Sequence, residues 1–107
     1  MSYTRTSPGG LILTGEQKIS LTATTPVAVN STVRSSGKCS KLIISVETAN
    51  VRMRFGSTNP TMTTGILIFA NSQFEWDGYD GTSLLKFCRS TGLPIVNIAG
   101  FKSAGTP

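Results

Sequence analysis

The sequence predicts a small all-β protein: a single β-sandwich, jelly-roll-like or closing as a small barrel, with an extended N-terminal arm. Three observations predict it. Short apolar segments alternate with polar residues at a period of two, as half-buried strands do. Turn-forming residues recur at roughly 8–12-residue intervals, the rhythm of sandwiches and small barrels. No stretch sustains the 3.6-residue apolar period of an amphipathic helix.

The chain has 107 residues, so one domain is expected. Residues 1–10 form the arm, because Pro8-Gly9-Gly10 interrupts any regular element. Residues 11–102 form the sandwich, and 103–107 a fraying tail. "LILTGEQ" reads as a short apolar run with a turn at Gly15, and "KISLTAT" as a strand with Ile19, Leu21 and Ala23 inward. Pro26 interrupts it, and "VAVNST" resumes as a short edge segment. "SSGKCS" is a loop before the strong strand "KLIISVE". Thr48-Ala49-Asn50 can turn, so that "VRMRF" follows as the second arm of a hairpin with Val51, Met53 and Phe55 inward. "GSTNPTMTTG" is a polar loop, "ILIFA" a strand, "NS" a tight turn and "QFEW" the next strand. "SLLKFC", the turn "RSTG" and "PIVNIAGF" complete the domain.

Only 14% of residues are charged, against roughly 25% in ordinary soluble domains. Ser and Thr make up about a quarter of the chain. The surface is therefore either a polar, uncharged coat or largely covered by other subunits. The net charge of +5 comes from ten dispersed cations. With no basic run and no aromatic RNP strand, direct nucleic-acid binding is not expected. No apolar run approaches the ~20 residues that span a membrane. The first ten residues lack the apolar stretch of a signal peptide. The chain is expected to be made in a cytoplasm and to leave it only within an assembly.

The segment "FEWDGYDG" holds Glu75, Asp77 and Asp80, three of the five acidic residues. Asp-Gly dipeptides favour turns, because Gly supplies positive φ and Asp bonds its own backbone. A calcium loop needs a closing carboxylate about twelve residues on, and "GTSLLKFC" offers none. The segment is read as a turn, with a weak cation site as the alternative. Cys39 and Cys88 have no His beside them to complete a zinc site, since the chain has no His. The absence of His also removes the usual base of a Ser or Cys triad. Two buried thiols are expected, with a disulfide as the alternative. No cofactor, metal or catalytic residue is expected, and Trp76 reads as core rather than as an exposed sugar platform with Tyr79.

The order of segments across residues 24–101 is distinctive. "TPVAV" leads to a Cys-initiated strand, "CSKLIISVE". Then come Asn50, a strand ending "RFGST", "TTGILI", "ANSQFEW" and "DGTSLLKFCRSTGLPIVNIAG". It resembles the small virion proteins of tailed bacteriophages, especially capsid decoration or cement proteins. The resemblance implies a compact β-sandwich that binds the major capsid protein on the capsid exterior, self-associates as a homotrimer, and cross-bridges neighbouring capsid subunits. The contact residues expected on that basis are Tyr3, Arg5 and Pro8 in the arm, Arg52 and Arg54 on one strand face, and Asn59 and Met62 in the "STNPTMTT" loop. The alternative is a tail, neck or fibre module that binds another virion component or a host receptor or glycan.

Overall fold

A computed structural model describes residues 11–82 and 84–103. Eight strands form two antiparallel four-stranded sheets: β1 (Leu11–Ser20), β2 (Val27–Ala28), β3 (Cys39–Glu47), β4 (Val51–Phe55), β5 (Ile66–Ile68), β6 (Ser72–Asp77), β7 (Leu85–Arg89) and β8 (Ile95–Ser103). The first sheet runs β1-β8-β3-β6 and the second β2-β7-β4-β5. Strands therefore pair first with last, second with seventh, third with sixth and fourth with fifth. This is a long antiparallel ribbon rolled on itself, the jelly-roll order.

The period-two pattern sets which side chains meet in the middle. In the first sheet Ile19, Val96 and Val46 share one inward row, and Ile98, Ile44 and Phe74 another. In the second, Met53 and Phe87 lie opposite one another. Phe87, Leu42, Ile44, Val46, Val51, Leu85 and Val96 are fully buried. Shortening a buried aromatic such as Phe87 to Ala costs about 3–5 kcal/mol.

Five local expectations are corrected. β3 and β4 are not a hairpin: β3 pairs with β6 and β8, β4 with β5 and β7, so the turn at Thr48–Asn50 carries the chain from one sheet to the other. Alternation alone cannot separate the two cases, because both leave each strand half-buried. β1 does not stop at Gly15 but runs through it with a bulge between Leu13 and Gly15. The expected edge segment holds at Val27–Ala28, which is the edge strand β2, but its end joins a helical turn, α1 (Ser31–Arg34), and Ala23 is exposed rather than inward. Phe55 ends β4 exposed at the rim.

The helical turn has a local cause. Asn30 caps it, its Oδ1 accepting the Val33 N–H at 2.9 Å. Gln17 in β1 holds the cap from outside, accepting the Asn30 N–H at 2.8 Å and donating to the Ala28 carbonyl at 3.2 Å. Val33 then drops onto Gly100, where an added Cβ would stand 2.6 Å from Val33 Cγ1. Only a residue without a side chain lets α1 sit this close to β8.

Candidate functional site

The three carboxylates of "FEWDGYDG" do not converge. Glu75 and Asp77 project from the outer face of β6, opposite Ile43 and Lys41. Both are taken by Lys41, whose Nζ lies 2.9 Å from Glu75 Oε1 and 3.6 Å from Asp77 Oδ1. The hydrogen bond to Glu75, followed by the Asp77 charge, raises the Lys41 pKa despite a smaller opposing effect of desolvation. Asp80 belongs to the following turn and accepts from Thr82 Oγ1 at 2.7 Å and Thr82 N at 2.9 Å. Those bonds stabilise its ionised form and lower its pKa. Gly78 turns the chain at φ +81° and donates to the Ser40 carbonyl at 2.8 Å. Among the described residues no three His, Cys, Asp or Glu side chains gather as a metal site.

Of the expected contact residues, Tyr3, Arg5 and Pro8 lie outside the described residues. Arg52 and Arg54 are on the outer face of the second sheet, as alternation predicts, but they differ. Arg52 is drawn down onto the protein, donating from Nη1 to the Gly65 carbonyl at 3.0 Å. Arg54 lies directly across from Lys86 of β7, so two cations are cross-strand neighbours. The loop between β4 and β5 does not extend away from the domain. Asn59 Oδ1 accepts from Lys86 Nζ at 2.9 Å, and the Met62 carbonyl accepts from Ser90 Oγ at 3.0 Å. The loop is thus laid along β7, with Pro60 buried. Met62 keeps its side chain exposed.

A different connection reaches Cys88, the one between β1 and β2. The residue shares the outer side of the sheet with Arg52, yet it is fully buried, with Sγ donating to the Thr24 carbonyl at 3.3 Å. Burial pushes its thiol pKa up, against a smaller lowering by Arg89. Cys39 is buried as well, and both thiols are free. Trp76 packs half-buried against the core, between Phe55 (4.6 Å, edge-on) and Tyr79 (5.3 Å, edge-on). Tyr79 is 3% exposed. The pair presents no flat aromatic platform of the kind that stacks on a sugar.

Three surfaces stand out that the sequence reading did not single out. β1 is an edge strand and begins with Leu11, Ile12 and Leu13, all exposed at 41–48%. Three consecutive apolar residues in a strand put apolar side chains on both faces, and that break in the alternation was visible in "LIL". The second surface is the loop end around Asn50. There the Asn50 carbonyl accepts from Ser90 N at 2.9 Å, its N–H donates to Thr91 Oγ1 at 3.1 Å, and Oδ1 accepts from Ala70 N at 2.8 Å. Exposed Phe69 and Leu93 flank these tied segments. The third is a shallow depression of about 340 Å³ on the outer face of the first sheet, lined by Glu16, Lys18, Ile43, Ser45, Asn97 and Ala99.

Charge divides between the sheets. Glu16, Glu47, Glu75 and Asp77 all lie on strands of the first, together with Lys18, Lys41 and Lys102. The strands of the second carry Arg52, Arg54, Lys86 and Arg89 and no acid. No helix among the described residues is long and apolar enough to cross a membrane. Comparison with protein-family models, with curated proteins and with solved structures found no match to this chain.

Proposed function

We propose that this chain is a non-enzymatic structural protein of a bacteriophage virion, one that decorates the capsid exterior and stiffens it by bridging major capsid subunits. The observation that carries the reading is the start of β1. An edge strand with three consecutive apolar residues, each more than 40% exposed, is a surface suited to another chain. It continues directly from residues 1–10, where the resemblance places the capsid contact. The jelly-roll order and the low charge agree with a protein whose product is contact area, although a fold of this kind hosts many functions.

The test is addition of the purified chain to capsid shells of the encoding phage that lack it. Saturable co-sedimentation and a higher rupture temperature are expected. Ile12→Glu is expected to weaken binding at least tenfold without lowering the melting temperature of the free chain. Shells that take up no protein would end the capsid reading.

A second reading rests on Phe69 and Leu93. Apolar side chains at a loop end whose backbone is tied by Asn50 suit a tail, neck or fibre module that meets its partner end-on. Labelling of intact virions with an antibody to the chain separates the two, by decorating either the shell or the tail.

A further inference from the structure

The cross-strand pair Arg54 and Lys86 is a local misfit. Like charges directly opposite in a sheet repel, and no carboxylate lies on any strand of that sheet. Asn59 offers Lys86 one neutral oxygen, which does not cancel either charge. On β6, at the edge of the other sheet, the imbalance is reversed. Glu75 and Asp77 share the one cation Lys41, and their side chains remain 58% and 81% exposed. Each surface has the surplus that the other lacks. Departures from local consistency of this kind concentrate where a protein meets something else.

We infer that the basic outer face of the second sheet, centred on Arg54 and Lys86, docks on the Glu75–Asp77 edge of a second copy of this chain. The contact is heterologous: one surface of each copy meets a different surface of the next. Such contacts close into rings when the rotation allows and otherwise run on as filaments. A ring of three satisfies the homotrimer that the resemblance to decoration proteins implies, and the inference rests on that part of the reading. Complementary charge sets the orientation and speeds the encounter, and salt weakens it.

Sedimentation velocity of the full chain across a concentration series tests this. Between about 0.05 M and about 0.5 M NaCl the association is expected to weaken at least tenfold, as screening shortens the reach of exposed charges. Arg54→Glu alone and Glu75→Lys alone are each expected to stay monomeric. Their mixture is expected to associate, because a mixed pair keeps one wild-type basic face and one wild-type acidic edge. The milder Arg54→Gln and Glu75→Gln, checked for native circular dichroism, are expected to show intermediate weakening if the reversals disturb folding. A wild-type chain that is monomeric at low salt overturns the inference. So does association that ignores salt, or a mixture no better than its components. Capsid uptake of a strictly monomeric chain would sink this inference and leave the capsid reading standing; salt-sensitive association without capsid uptake would do the reverse.

Discussion

Asn50 and Ala70 are joined by a 2.8 Å hydrogen bond from the Ala70 N–H to Asn50 Oδ1, across 20 positions of sequence. The same asparagine uses its backbone on Ser90 and Thr91, so one residue ties three loops at one end of the sandwich. Asn50→Ala is expected to cost about 1 kcal/mol, the price of leaving a part-buried amide without its acceptor. Asn50→Asp keeps the acceptor oxygen and is expected to retain most of the stability. Urea unfolding of the two variants checks the order; equal losses would mean that the side-chain bond contributes nothing.

Gly100 is where α1 meets β8. A methyl group there would stand 2.6 Å from Val33 Cγ1 and 2.7 Å from Thr14 Oγ1. Thr14 Oγ1 also donates to the Val33 carbonyl at 2.7 Å, so neither neighbour retreats freely. Gly100→Ala is expected to destabilise by about 1–3 kcal/mol, as overpacking does. Calorimetry measures it, and an unchanged melting temperature would show that α1 lifts away without cost.

Tyr79 carries a pH signature. Burial, the largest cause, raises its phenol from the ordinary 10.0 to about 12. The folded protein therefore keeps a proton that the unfolded chain has lost. Stability from this group is intact below the unfolded value and declines as pH rises from about 10 to about 12. Denaturation midpoints are expected to fall through that window, and less steeply in Tyr79→Phe. Identical slopes in the two proteins would remove Tyr79 as the cause.

The thiols give a simple chemical check. Cys39 and Cys88 are free and buried, so a thiol-specific reagent is expected to react slowly with the native protein and to count two thiols after unfolding. Reducing agent is expected to leave the melting temperature unchanged. Fewer thiols in the unfolded, unreduced chain would reveal a disulfide.

Calcium is expected to leave the melting temperature unchanged too, because Lys41 and Thr82 already occupy the three carboxylates. A rise that saturates with calcium would mean that these contacts yield to a cation.

Much of the fold was legible in the sequence because strands announce themselves locally. The alternation in "VRMRF" placed Arg52 and Arg54 on the outer side and Val51 and Met53 on the inner, as observed. Gly78 with positive φ matched the Asp-Gly turn. What local pattern does not carry is pairing. The step from β3 to β4 reads the same whether it makes a hairpin or changes sheets, since only distant partners, β6 and β8 against β5 and β7, decide it. The helical turn at Ser31 depends on Gln17 and Gly100, neither of them nearby in sequence. For the same reason Arg54 read as a solvated face: its neighbour Lys86 is supplied by another strand. The apolar start of β1 was present in the letters but lay inside a segment read as a run before a turn.

The strap between β4 and β5 has a practical consequence. Polar, Gly-flanked and as long as any other connection between strands, it looks like the natural place to insert a foreign peptide. It is instead tied down: Pro60 is buried, and Asn59 and Met62 are fastened to Lys86 and Ser90. Cargo threaded through it would strain those ties. The turn at Gly78 is open, with nothing within 4 Å of the glycine's missing side chain, but its φ of +81° favours glycine, so an insertion there has to keep Gly78 itself.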